Sequence, residues 1–553
     1  MNPSDGYGRR QVLAVLSGLL LAAFVASLDL TVVSAALYRI GESLGGLTAQ
    51  AWVTTAFLIT STISVPVFGK LSDTHGRRPL FLAAIGVFLF GSVLCAFAGS
   101  MAMLAAFRAV QGIGAGGMLT LTSAVLGDVA PPRERARYGG YFVAVYAVAS
   151  VVGPVVGGVL AGQRTLLGVD GWRWIFLLNL PVGIAACVVV ARVLRPGASR
   201  RRQRRLDLAG TVTLVVAVVP LLLVAQFGAG WGWGGPAAWG CYAAGAAGLA
   251  GFLLAERRTG DGALLTLRLF RNHGFAVGAG QSLVVNIGMF GGIAALPLYL
   301  QLVKGYAPTE AGLLMLPQVA GTLLGSVAAG QFTLRTGRYK ILPVTGSVLL
   351  LAGMLLLSRL GPGTPLAYAE SVMFLIGAGG TLYAQTITLS MQNALPQADL
   401  GVATSSNTLF RQIGATAGAA AALSIAYAAA GPAIRRAYAA AAGPVGASRA
   451  FRAAATAHPG QGAALRLAAS GSRAALNDTA FLARLDPVLA QPFRLGFSDA
   501  LDIAFLAVAA VMAAALVLAL MIRELPLRTT VAAPPATPVP PAPPAPPAEP
   551  VRR

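Results

Sequence analysis

A chain of 553 residues with 56% hydrophobic and 11% charged positions, and a mean hydropathy of +0.72, has little surface suited to water; soluble domains carry about 25% charged residues. A net charge of +22 would point to nucleic acid in a soluble protein, but in so apolar a chain it marks membrane-flanking loops, where Lys and Arg collect on the inner side. Cys95, Cys187 and Cys241 lie far apart without metal-ligand spacing, and their odd number argues against a disulfide framework.

A membrane span takes roughly 20 apolar residues. Fourteen segments qualify: 12–36, 51–69, 79–98, 101–126, 137–161, 173–193, 206–226, 237–255, 273–302, 312–332, 340–358, 366–391, 401–429 and 500–522. The first, from Val12, lacks a small-residue cleavage site and reads as a helix rather than a removable leader. The 67 glycines suit helices that approach closely in lipid. With the N-terminus inside, most Lys and Arg fall in inner segments, from Arg9 and Arg10 through Lys70, Arg77 and Arg78 to Arg335, Arg338 and Lys340. The short outer loops hold only Arg39, Arg164, Arg173, Lys304 and Arg359. That bias predicts both termini on the cytoplasmic side.

The expected organisation is a short N-terminus (1–11), a six-helix half (12–193), a basic linker with two extra spans (194–272), a second six-helix half (273–523) and a Pro-rich tail (524–553). The cluster Arg200–Arg205 reads as an orientation and headgroup signal. Residues 430–499 fall outside; their Ala permits helices, while Gly and Pro argue against a compact core. The tail composition predicts an extended spacer.

Between two apolar runs stands Gly69-Lys70-Leu71-Ser72-Asp73-Thr74-His75-Gly76-Arg77-Arg78-Pro79. So short a polar turn forces an antiparallel helical hairpin. Orientation alone would need the arginines but not Asp73. A weaker echo, Gly330 to Lys340, keeps the glycine and the basic end with Leu334 in place of the acid, as an internally repeated transporter would leave. Charges within spans are functional candidates by default. Asp29 lies roughly 10 Å from the outer end of its span at the helical rise, and Arg108 lies at comparable depth. The two read either as a proton carrier with its tuning cation or as a static brace. Arg411, about ten residues into its span, reads equally as a substrate contact or a brace. Gln111, Asn286, Gln318, Gln385 and Asn407 are candidate liners of a substrate cavity, with Gln281 and Asn393 as weaker ones. None of the three histidines forms a metal site, and nucleophile–base constellations expected of a membrane enzyme are not evident.

The first loop resembles the G-x-L-x-D-x-x-G-R-R-x loop of the major facilitator superfamily. Arg108-Ala109-Val110-Gln111-Gly112-Ile113-Gly114 resembles its R-x-x-Q-G-x-G motif. Ala149 to Gly158, with Gly153, Pro154, Gly157 and Gly158, resembles its antiporter motif G-x-x-x-G-P-x-x-G-G with Ala149 at the first glycine. Together with Leu28 to Val33 and Gly171 to Pro181, these are similar to the 14-span drug:proton antiporters of bacteria; Tyr38 stands where that family usually has Pro. The resemblance implies an all-α major facilitator fold, two six-helix halves plus two central spans, and export of amphiphilic drugs against protons across the bacterial cytoplasmic membrane. It assigns proton coupling to Asp29 and Arg108, cytoplasmic gating to Gly69, Asp73, Gly76, Arg77 and Arg78, and no cofactor beyond the proton gradient. The implied partners are a small amphiphile, protons and the bilayer, not nucleic acid, with the protein acting as a monomer. A specific lipid or natural-product exporter, and an importer of the same fold, remain the alternatives.

Overall fold

Apolar stretches dictate nearly all of the secondary structure, and three of the helices start at a capping side chain. The computed structural model describes residues 9–44, 50–130, 132–163, 165–194, 208–259, 267–306, 308–396, 399–442, 449–472, 476, 481–482 and 485–524. The first half contains α1 (Arg9–Ser43), α2 (Gln50–His75), α3 (Arg77–Ala96), α4 (Met101–Val129) and α5 (Pro132–Gly162), then a two-residue hairpin and α6 (Arg173–Leu177) and α7 (Asn179–Val193). A hairpin of α8 (Leu208–Trp231) and α9 (Pro236–Thr259) follows. The second half contains α10 (His273–Leu298), α11 (Pro308–Leu314), α12 (Leu316–Thr336), α13 (Ile341–Leu357), α14 (Leu366–Asn393) and α15 (Leu400–Ala442), then α16 (Arg449–Ala457), α17 (Gly462–Ser470) and α18 (Pro487–Leu520). Ser100 caps α4 by accepting from Met103 N at 3.2 Å, and Asn272 caps α10 by accepting from Phe275 N at 3.2 Å.

Among the described residues, twelve helices are long and apolar enough to cross a membrane. The segments expected at 206–226 and 340–358 fall in α8 and α13, where the apolar stretches Ala209–Val224 and Ile341–Leu357 add to these twelve; the fourteen-span count itself is not reached among the described residues. The chain is a multi-pass membrane protein.

In the first half α1 packs on α5 and α7, and α4 on α2 and α3. In the second, α10 packs on α15 and α18, and α14 on α12 and α13. The halves meet along α2 with α15 and α5 with α12, and α8 of the extra hairpin lies against both α2 and α15. Small residues permit the seam. A Cβ on Gly69 would stand 2.5 Å from Ser405 Cβ, and one on Gly140 would stand 3.1 Å from Ser326 Oγ. Both approaches lie toward the face where α2 turns into α3, hereafter the basic face.

Residues 430–499 differ from the expectation of no compact core. α15 runs for 43 residues, about 65 Å at the helical rise, more than twice the roughly 30 Å hydrocarbon thickness. Its far end and the start of α18 project together. Phe493 and Phe497 stack at 6.2 Å, Phe481 meets Phe493 edge-on at 5.9 Å, and Tyr438 OH donates to Leu489 O at 2.9 Å. Aromatic residues spaced through an Ala-rich stretch supply the burial that its average composition conceals. The basic cluster 200–205, residues 1–8 and the tail from 525 on lie outside the described residues.

Candidate functional site

The sequence places five polar side chains inside apolar helices of the first half, and the fold collects them into one buried knot. Arg108 (α4) donates to Asp29 Oδ2 (α1) at 2.5 Å, with both side chains at most 1% exposed. Gln111, one turn on from Arg108, accepts from Arg108 Nη1 at 2.7 Å and donates to Asp29 Oδ1 at 2.9 Å. Asn179 donates to the same Oδ1 at 2.7 Å, and Ser92 Oγ accepts from Gln111 at 2.7 Å and Asn179 at 3.2 Å. The Arg108 guanidinium lies over the Phe57 ring at 4.1 Å, while its Nε has no hydrogen-bond partner among the described residues. Asp29 thus accepts from three donors on two other helices, so the knot ties α1 to α4 and α7 around an ion pair.

Gln111, expected at the substrate cavity, belongs to this knot instead. Asn179 and Ser92 were not among the candidates. Asn179 carries a readable signal, an amide within the apolar segment 173–193. Its placement depends on a break that sequence does not disclose, where α6 ends at Leu177 and α7 starts at Asn179 itself.

At the basic face, Gly76 adopts φ +91° between α2 and α3, a conformation that disfavours any side chain. Arg77 pairs with Asp128 at the end of α4, Nε to Oδ2 2.8 Å, and also donates to Ser72 Oγ. Arg78 donates to Ala191 O of α7. Among the described residues the acid paired with Arg77 is Asp128, which the motif does not contain; the Asp73 side chain lies outside them. Its signal is a lone carboxylate closing span 101–126 on the arginine-rich side.

On α5 the glycines differ in environment. A Cβ on Gly153 would stand 2.0 Å from Thr31 Oγ1, whereas Gly158 has nothing within 4 Å. Gly157 is buried, and the Pro154 side chain lies outside the described residues. Thr31, two residues from Asp29, donates to Ala149 O at 3.0 Å, which joins α1 to α5 beside the knot.

Between the halves lies a cavity of about 170 Å³, walled by α4, α5, α14 and α15. Leu119, Leu126, Phe142, Val143 and Leu389 supply apolar wall, and a larger set of polar residues, among them Thr122, Tyr146, Gln392, Asn407 and Arg411, shares it. Of the expected cavity residues, Asn407 and Arg411 line it. Asn407 is held rigid, accepting from Ser282 Oγ at 2.5 Å and donating to Thr388 Oγ1 at 2.8 Å. Asn286 stands behind, donating to Ser282 O at 2.7 Å. Gln318 is not in the wall; its backbone O packs against α14, 2.0 Å from a Cβ placed on Gly377. The Gln385 side chain lies outside the described residues. No group of three or more His, Cys, Asp or Glu suited to a metal occurs among the described residues.

The family model described as Major Facilitator Superfamily matches residues 19–419. The Bacillus subtilis multidrug transporter protein MdtP is 36% identical over 73% of this chain and 73% of its own length. Multidrug resistance protein 3 of the same organism is 30% identical over 73% of this chain and 77% of its own. Among solved structures, the proton:xylose symporter XylE has the same fold, with a TM-score of 0.55 at 14% identity, covering 94% of this chain and 97% of its own. A matched family model over most of the helices, a two-half bundle and an inter-half cavity agree: the chain belongs to the Major Facilitator Superfamily and is a membrane transporter, not an enzyme.

Proposed function

We propose that this transporter exports amphiphilic small molecules across a bacterial cytoplasmic membrane in exchange for protons, by alternating access to the cavity between its halves. The observation that carries the reading is the division of labour inside the bundle: Asp29 and Arg108 are sealed within the first half, apart from a cavity of mixed apolar and polar lining shared by both halves. A proton arriving on Asp29 would cancel the charge that holds Arg108, and α1 would transmit the change to α5 through Thr31 and Ala149. Export rather than import is favoured by the similarity to named multidrug exporters and by the Gly153–Gly158 motif. The gating loop suits a latch on the basic face, where Arg77 bonds Asp128 and Gly69 lies against Ser405. The same reading takes the two shorter apolar helices as spans, which makes fourteen, with both termini cytoplasmic and a monomeric unit.

The test is purified protein in liposomes with an imposed proton gradient, offered cationic, neutral and anionic amphiphiles. Gradient-dependent substrate movement with counterflow of protons is expected, and substrate movement that ignores the gradient would overturn the coupling. Cysteine labelling at 200–205 and 445–470 from opposite sides tests the topology.

A further inference from the structure

The inter-half cavity contains a cation without an anion. Arg411 lies eleven residues into α15, about 16 Å along the helix, and lines the cavity. It makes no hydrogen bond or ion pair among the described residues, and no described lining residue is acidic. Asp29 offers no neutralisation, because both its oxygens are occupied within the first half. A guanidinium inside a membrane-spanning bundle is costly unless paired.

A second group points the same way. Thr122 is 6% exposed, lines the same cavity from α4, and its hydroxyl has no hydrogen-bond partner among the described residues. Its hydroxyl is an O–H donor, as are the Arg411 N–H groups, and they come from opposite halves. A ligand that offers acceptor oxygens to both would bridge the halves, while Leu119, Phe142 and Leu389 receive an apolar body.

We infer that the cavity recognises amphiphilic organic anions, with Arg411 as the charge-reading residue and Thr122 as a supporting donor; this deepens the export reading above and rests on it for direction. One physical consequence separates it from the export of cations. An anion leaving the cell and a proton entering it both move positive charge inward, so both run with an inside-negative potential.

The experiment uses three probes sharing one dansyl-labelled alkyl body and ending in a carboxylate, its methyl ester or a trimethylammonium. Binding to the full-length protein in detergent is followed by dansyl fluorescence, and transport is followed in liposomes. The carboxylate should bind at least tenfold more tightly than the ester, and the ammonium more weakly than either. Arg411→Gln should collapse the carboxylate-to-ester ratio to below twofold. Arg411→Lys should recover part of that ratio, and Thr122→Val should lower it about threefold. An unchanged ratio in Arg411→Gln, or a wild-type preference for the ammonium, overturns the inference. Should Arg411→Gln fail to fold, the wild-type order of the probes and Thr122→Val still decide. If the carboxylate preference is present but no probe moves in liposomes, the export reading fails and the binding assignment stands.

Discussion

Replacing Asp29 by Asn tests the buried knot most directly, because it changes one charge and almost no volume. At 2.5 Å and an effective dielectric of about 20, the attraction between Asp29 and Arg108 is about 7 kcal/mol. Removing both ions from water opposes it by several kcal/mol each, so the pair as a whole adds little net stability. Breaking it from one side is different, since it strands a buried charge at a cost of about 3–5 kcal/mol. In Asp29→Asn the new amide oxygen still accepts from Gln111 and Asn179, but its NH2 faces Arg108, donor against donor. Arg108 keeps only Gln111 and the Phe57 ring at 4.1 Å, the latter worth about 0.5–2 kcal/mol. Arg108→Gln should cost toward the lower end of the same range, since Asp29 retains its two amide donors. The double variant Asp29→Asn with Arg108→Gln has no stranded charge and should recover most of the loss.

The assay is a double-mutant cycle of unfolding free energies in mixed micelles, expected to give a coupling of about 5 kcal/mol, the two single costs less a small residual in the double variant. Single variants that each cost less than about 0.5 kcal/mol and add without coupling would refute the electrostatic account. Transport by the double variant then separates switch from brace. A switch predicts a folded protein that no longer moves protons with substrate. Concentrative transport at the wild-type proton cost would leave the pair with a structural role only.

Three further outcomes follow from particular contacts. Gly153→Ala should destabilise by about 1–3 kcal/mol, as overpacking does, because the new Cβ would meet Thr31 at 2.0 Å, whereas Gly158→Ala should be neutral; thermal unfolding in detergent compares them. Arg77→Ala should cost at most about 1 kcal/mol, since Arg77 and Asp128 are 17% and 38% exposed, yet it should open the basic face, read as faster alkylation of a cysteine at Ser405. Exchanging the charges, Arg77→Asp with Asp128→Arg, should restore protection. Phe493→Ala, fully buried between Phe481 and Phe497, should cost about 3–5 kcal/mol although it lies in the Ala-rich projection; trypsin cleavage at the arginines of 449–466 reads the loosening.

The helices were legible because lipid allows few alternatives for an apolar run, and the loop at Gly69–Pro79 was legible because its residue types are costly there without a role. The depth of Asp29 and Arg108 was also readable, as both sit a countable number of residues from a span end. Gln111 was not assignable, because an intramembrane amide looks the same whether it faces a cavity or a buried carboxylate; only the rotation of α4 about its axis decides. Asn179 depended on the break between α6 and α7, and Asp128 on three helix ends meeting at one corner. The core in 430–499 was missed because window composition averages out Phe481, Phe493 and Phe497, whose spacing matters only once α15 and α18 are known to run side by side. Asn407 and Arg411 share one face of α15 at i and i+4, yet the opposing Thr122 came from the other half, out of reach of any local pattern.

If Asp29 carries the exchanged proton as proposed, the arrangement gives a charge event sealed from solvent a route to a cavity it does not touch. The knot holds α1 to α4 through Asp29 and Arg108, and α1 holds α5 through the Thr31 hydroxyl on Ala149 O. Tyr146, one turn before Ser150 on α5, lines the cavity, and Thr122, about four turns beyond Arg108 on α4, lines it too. Both helices linked to the knot, α4 and α5, are therefore walls of the proposed substrate site. Release of Arg108 need not send any side chain into the cavity. A small rotation of α4 against α5 would move Thr122 relative to Arg411, which stands on the other half, and so change the distance between the two donors that face the ligand. Protonation and ligand would then compete for the same inter-half geometry without sharing an atom, which is what obligatory exchange requires of two sites that bias one two-state element.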